Sequence, residues 1–438
     1  MDAVMSNSDY KHEYVTQKVQ KWINDVDDLA TIAKDEPQAV YTSFTKAIAH
    51  RWSYVQRTIP GVSNLFIPLE EAIRERLIPA LIGRKVSDIE RRILALPVRF
   101  GGMGFIDPTK TAECEFEASS RITSNLSRLI FNQEQDYDNY DKEQVNVEIK
   151  AIKALKDERY QNEFNDISNS LPLKSRRILE MATENGVGAW LNALPIKSLG
   201  YTLNKQEFRD SVCLRYGWQI PNTPTYCQCS EKNSIDHALS CKLGGYVHMR
   251  HNRIRDLEAD LMKEIGHDVK IEPELLPLET DKDRRGNNKD KARLDVSGVG
   301  VWGSYERTFL DIRVVHPNAP SYINKPIKKI YETHEKEKKR AYNERVIQVE
   351  KGSFTPIVVS TFGGMGAEAE RYHKRIATLI SEKRNERYSD VLNYLRTRLR
   401  FSILRSVLTA VRGVRGKSSK ETTTPISEIS YNLIAQYE

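Results

Sequence analysis

The residues best suited to chemistry lie between Arg293 and Val315. The segment reads Arg293-Leu294-Asp295-Val296-Ser297-Gly298-Val299-Gly300-Val301-Trp302, a Gly303-Ser304-Tyr305 break, then Glu306-Arg307-Thr308-Phe309-Leu310-Asp311-Ile312-Arg313-Val314-Val315. Two alternating, β-branched runs around a Gly/Ser break predict a β-hairpin. A fold about Gly303 sets Asp295 opposite Asp311, with Cβ atoms about 5 Å apart. Arg313 shares the face of Asp311, whereas Leu310, Ile312 and Val314 face the other way, into a core. Two hard carboxylates suit Mg²⁺, which needs only one or two of them and keeps its waters for phosphate chemistry. A solvated salt-bridge cluster uses the same residue types, so the acids alone leave both readings open.

The second cluster is Cys227-Gln228-Cys229, seven residues, then His237-Ala238-Leu239-Ser240-Cys241. Three thiols and an imidazole at this spacing favour a tetrahedral Zn²⁺ site closed by four protein ligands, which makes the zinc structural. His248 and His251 are nearby substitutes for His237, and buried free thiols are the alternative. Three of the chain's five cysteines fall here, which argues against a disulfide framework and for a reducing compartment.

The elements that must position these groups follow from periodicity. Val15 to Ile32, Tyr41 to Ile59 and Leu69 to Ile82 carry apolar residues at helical spacing, punctuated by Pro60, Pro68 and Pro79. A helix is predicted from Arg250, with Ile254, Leu257, Leu261 and Ile265 on one side and Glu258 off that stripe, at the helix edge. Val269 to Glu272 reads as a strand. After the hairpin, Pro326 starts a helix on which His334, Lys338 and Tyr342 share a polar face. Thr355 to Thr361 reads as a buried strand closed by Gly363-Gly364-Met365-Gly366. A final helix carries Leu392, Leu395, Leu399, Ile403 and Val407. The order from 250 is helix, strand, hairpin, helix, strand, helix, an α/β core with a small mixed sheet.

At 438 residues the chain has room for about three domains. Hydrophobic content of 39% and charged content of 29% fit a folded, rather helical protein. No apolar run approaches the roughly 18 residues of a membrane span, and Met1 to Tyr14 is no secretory signal. A net charge of +7 leans towards an anionic partner. Two motifs are set aside. Asp25-Val26-Asp27-Asp28 lacks the aromatic of a polymerase metal dyad and reads as a solvated helix face. Arg99-Phe100-Gly101-Gly102-Met103-Gly104-Phe105 lacks the strand-before, helix-after context of a phosphate loop and reads as a tight bend.

Taken in order, the Cys-Cys-His-Cys knuckle, Arg250-His251-Asn252, Arg293-Leu294-Asp295 and a second Asp sixteen positions on resemble a family. The set resembles the C-terminal half of non-LTR retrotransposon polyproteins that carry a restriction-endonuclease-like domain of the PD-(D/E)xK type. Arg57-Thr58-Ile59-Pro60, Leu69-Glu70, Ile78-Pro79-Ala80-Leu81 and Leu96-Pro97 are similar to the thumb and connection that follow the polymerase core there. The resemblance implies a mixed fold: a helical thumb/connection-like domain over 10–130, an acidic linker and charged helix over 131–166, and a helical connector over 167–224. A zinc knuckle over 225–249, the α/β endonuclease-like core with basic C-terminal helices over 250–415, and a disordered tail over 416–438 complete it.

By position, Asp295 matches the first acidic motif and Asp311 the second. Arg313 stands where a Lys usually follows and Leu294 where a Pro is usual. Arg cannot be deprotonated, so the Lys is expected from the following helix, Lys338 first and Lys339 second. Glu258 matches the acid on the first core helix. The implied activity is a Mg²⁺-dependent nick of one DNA strand that primes reverse transcription. The knuckle, Arg250 and His251 would hold the duplex, and Arg396, Arg398, Arg400 and Arg405 would meet its phosphates. The implied partners are target DNA, element RNA, and a polymerase-bearing partner or larger polyprotein, since no polymerase dyad is found in this chain. A nuclear location follows from the substrate alone. The alternatives are a catalytically inactive, zinc-containing nucleic-acid-binding remnant and a protein-interaction scaffold.

Overall fold

A computed structural model describes residues 8–133, 142–276, 292–413 and 415. The acidic stretch at 134–141, the polar loop Asp281 to Lys291 and the expected disordered tail lie outside the described residues. Sixteen α-helices and four strands are described, and the first half is wholly helical. It comprises α1 (Ser8–Ile32), α2 (Pro37–Lys46), α3 (Ser53–Thr58), α4 (Ile67–Ala72), α5 (Ile78–Ile82), α6 (Asp88–Ala95), α7 (Pro108–Phe131), α8 (Lys142–Ser170), α9 (Leu173–Thr183), α10 (Ala189–Asn192) and α11 (Lys205–Tyr216). Then follow α12 (Ile235–Ser240), α13 (Tyr246–Ile265), β1 (His267–Ile271), β2 (Val296–Val299), β3 (Arg307–Val315), α14 (Ile327–Arg345), β4 (Ser353–Ser360), α15 (Ala367–Arg384) and α16 (Tyr388–Arg412).

Local sequence explains many of the boundaries. Ser87 and Glu90 form a reciprocal capping box at the start of α6, and Asn204 and Glu207 do so at α11. Gly83 and Gly217 end α5 and α11 in the left-handed conformation that glycine adopts without a Cβ penalty. The single helix expected over Tyr41 to Ile59 is broken into α2, a 3₁₀ turn at Ile48–His50 and α3.

The helical half closes around an aromatic core. Trp22 stacks on Phe66, Phe44 packs on Phe105, and all four are buried. The second core lies in the C-terminal half, where the strands form one sheet in the order β1-β2-β3-β4. β2 pairs antiparallel with both β1 and β3, and β4 runs parallel to β3, with α14 as the crossover. Leu310, Ile312, Ile357 and Val359 bury against Ile254 and Leu261 of α13 and Tyr372 and Ile376 of α15. On the other face, Val315 and Val358 pack on Ile330 and Tyr331 of α14. Each of these aliphatic side chains contributes about 1.5–3 kcal/mol by leaving water.

The expected unit over 250–415 is not self-contained. On α16, Phe401 stacks on Tyr201 at 4.8 Å within the helical core, while Ile403 and Val407 belong to the sheet core. The last helix therefore joins the two halves.

Candidate metal centre and acidic site

The Cys–His cluster assembles from one turn and one short helix. Tyr226 and Lys232 bridge, Cys227 N–H donates to Glu231 O, and Ser230 adopts a positive φ. That turn brings Cys227 and Cys229 to the same side. Ser234 caps α12 by accepting from His237 N–H, and Cys241 N–H donates back to His237 O. The four ligand atoms lie within 4.8 Å of one another. Cys227 Sγ is 3.9 Å from Cys241 Sγ, and Cys229 Sγ is 3.3 Å from His237 Nε2. Edges of a tetrahedron with Zn–S near 2.3 Å and Zn–N near 2.0 Å measure roughly 3.5–3.8 Å, so the donor set could bind zinc. Burial pushes the Cys227 thiol up, but hydrogen bonds from Cys229, His237 and Cys241 outweigh it and bring the group down to about 6, towards the thiolate that ligates metal. His248 is exposed and outside the cluster.

The knuckle is tied to the sheet from several directions. Asp236 pairs with Lys174 at 2.5 Å and with His316, just past β3, at 3.1 Å. Arg250 donates to Leu239 O, and Arg415 donates to Ala238 O.

The acidic site forms where β2 stops and β3 continues. Val296 is the last β2 residue to pair, with Leu310; the next residues along are Asp295 and Asp311. The antiparallel pairing about Gly303 is as the sequence predicts, although the connecting loop spans 300–306. Ile312 has lost its β2 neighbour, and two side chains replace the ladder. Asp295 Oδ2 accepts from Ile312 N–H at 2.5 Å, and His251 Nε2 lies 3.1 Å from Ile312 O and 3.3 Å from Asp295 Oδ2. With Asn252 Oδ1 at 3.4 Å from Nδ1, His251 faces acceptors on both nitrogens. The Asp295 bond, above all, holds its pKa above the ordinary histidine value.

Asp311 is buried and pairs with Lys338 Nζ of α14 at 2.5 Å. Lys338 also lies 5.8 Å from the ring centroid of Tyr342. Burial pushes Asp311 up, and the nearby Asp295 adds to that while Lys338 opposes it. Burial pushes Asp295 up as well, but His251, Ile312 N–H and Lys338 together hold it below the ordinary carboxylate value. Two neighbouring carboxyls are thus driven in opposite directions.

Several expected site residues lie elsewhere. Glu258 does not reach the acids; it is fully buried and its carboxylate binds His373 Nε2 at 2.9 and 3.1 Å. His251, two turns earlier on α13, occupies the acidic site instead and is no free duplex contact. Arg250 is buried, where desolvation brings it down to about 10, and it serves the Leu239 carbonyl rather than DNA. Arg400 is likewise buried, with Asn185 O at 3.4 Å. Arg405 donates to Thr202 O, and Arg396 approaches Glu370 at 3.5 Å; both brace α16 against other elements. Arg398 is half-buried, so the α16 arginines form no open phosphate-binding stripe. Lys339 pairs with Glu368, His334 with Tyr322 and Glu337, and Arg313 is exposed beside Asp311.

The chain is a mixed α/β protein with a Cys₃His cluster and a lysine-paired acidic site. No protein-family model and no curated protein matches it.

Proposed function

We propose that this chain is a retrotransposon-derived, metal-dependent DNA endonuclease with a PD-(D/E)xK-like core. The observation that supports this most is the meeting of Asp311 with Lys338, 27 positions apart on a strand and its crossover helix, beside Asp295. Asp295 and Asp311 would hold Mg²⁺. When bound, the ion supplies charge relief at the scissile phosphate and lowers the pKa of a water. Lys338 would orient that water or clamp a phosphate oxygen once its carboxylate partner turns to the ion. His251 holds Asp295 in place, a positioning role. Arg313, exposed on the same strand, would contact the backbone phosphate. The Cys–His cluster fits structural zinc, pinning α12 against α13 and β3. Target DNA in the nucleus and a polymerase-bearing partner belong to the same reading.

The test is nicking of supercoiled plasmid by the full chain with Mg²⁺ or Mn²⁺. Open circles are expected from the native chain and none above background from Asp295→Ala. Equal nicking by the two would refute the enzyme.

A second reading, a catalytically inactive nucleic-acid-binding remnant, has its own support. Each carboxylate already has a cationic side-chain partner, and Asp295 already caps the free edge of β3. Uptake of divalent cations separates the two.

A further inference from the structure

A place far along the chain from the paired acids carries buried charge with no ion-pair partner. Between the helical half and the sheet half lies a cavity of about 40 Å³ whose lining includes Arg215 of α11, Arg400 of α16, Ser211 and Thr361. Both guanidinium groups belong to buried residues, 5% and 3% exposed. Arg215 Nη2 is satisfied by the carbonyls of Val98, Gly102 and Ala182, and Arg400 Nη2 by Asn185 O. Nε and Nη1 of both residues are buried without a hydrogen-bond partner. Among the described residues, no other arginine leaves two nitrogens so, and neither Arg215 nor Arg400 forms an ion pair.

Charge makes this costly. A guanidinium does not shed its proton, so it must be neutralised where it sits. Glu184 is the acid that acts on Arg400; it hydrogen-bonds Tyr331 OH at 3.1 Å and is itself driven up to about 7 by burial. Arg215 has no such acid. Gly363, at φ +96°, is where the chain lets Arg400 in: a Cβ there would lie 1.7 Å from Nη1. The turn is therefore shaped around the guanidinium.

We infer that this cavity is a binding site for one small inorganic oxyanion of the phosphate or sulfate class, held between Arg215 and Arg400. A site of this size holds about three waters or one tetrahedral anion. Nucleotides need the several hundred Å³ of an ordinary ligand pocket. Two forked cations match a doubly charged oxyanion; the Ser211 hydroxyl already donates to Glu207 O and the Thr361 hydroxyl is paired with His316 Nδ1, so the two guanidinium groups are the donors. Because Arg215 comes from the helical half and Arg400 from the helix that joins the halves, the anion would staple them together. This inference does not depend on the nuclease reading.

The experiment is equilibrium dialysis of the full chain against radiolabelled inorganic phosphate at constant ionic strength, with melts in phosphate, sulfate or chloride. One phosphate per chain is expected, displaced by sulfate and not by equal chloride, with a melting temperature that climbs with phosphate concentration. Arg215→Gln and Arg400→Gln should each weaken binding at least about tenfold, while Arg387→Gln, at an exposed position, leaves it unchanged. Should the Gln variants not fold, Arg400→Lys keeps the charge, loses the fork and should still bind more weakly. No saturable uptake by the folded native chain, a cavity holding water only, would overturn the site. So would binding that Arg400→Lys and both Gln variants leave intact.

Discussion

The Cys–His cluster and the acidic site are both collections of metal-binding residue types, yet the fold treats them differently. The four donors of the knuckle converge on one another, within 4.8 Å, from one turn and one short helix. The two carboxylates are each matched to a cation and one of them caps a strand edge. A donor set without competing partners is finished only by an ion. A donor set that is already neutralised can exchange its partner for an ion or remain as it is. The same residue chemistry therefore supports zinc at the first site more directly than magnesium at the second.

The largest effect should come from breaking the first site. Structural zinc contributes on the order of 10 kcal/mol in small zinc folds, so chelation or Cys229→Ser should abolish amide-exchange protection over 225–249. Elemental analysis should find one zinc per chain in the native protein and less in the variant. Unchanged protection and metal content would erase the contrast.

Next is Lys338→Ala, which strips Asp311 of its counter-ion. A buried carboxylate left unpaired costs about 3–5 kcal/mol, and Mn²⁺ should restore part of that stability in urea melts. Nicking should meanwhile fall by at least about 100-fold. A destabilised variant that is deaf to Mn²⁺ would favour the ion-pair cluster, and one as stable as the native chain would show that the pair holds no buried charge.

Arg250→Met should cost about 1–3 kcal/mol by leaving Leu239 O without its donor. The salt dependence of DNA binding should stay the same, because the group is buried. A shallower salt slope would return Arg250 to the nucleic-acid interface.

Glu184 offers a pH-read check away from both the knuckle and the acidic site. Its folded-state pKa is near 7 against an ordinary 4.5, so the folded chain keeps a proton that the unfolded chain releases. That contribution is fully present below about 4.5 and is lost as pH rises through 7. Glu184→Gln should flatten the decline in urea midpoint between pH 5 and 8, and an unaltered slope would show that Arg400 keeps the acid ionised.

The two sites were unequally legible in the sequence. Three cysteines and a histidine within fifteen positions announce themselves by type, and the β2–β3 pairing follows from two-residue alternation around Gly303. Lys338 was reachable because a crossover helix must return over the sheet. Glu258 was misread because it lies two turns from His251 on one face of α13; which of the two meets the strand end is decided by where β2 stops, a tertiary fact. Arg250 and Arg400 were read as surface groups because arginine usually is. Their burial depends on carbonyls at Leu239 and Asn185, distant in the chain for Arg400, that no local pattern reveals. That one apolar stripe on α16 serves two cores was hidden for a related reason: no local pattern distinguishes its two sets of partners.

A nuclease site at the β2–β3 pair requires its acids to exchange their side-chain partners for a divalent cation. Calorimetric titration of Mn²⁺ into zinc-loaded protein tests it directly, with Asp311→Asn alongside. Saturable uptake of at least one ion, lost in the variant, is the predicted result. Identical heats from both proteins would contradict it.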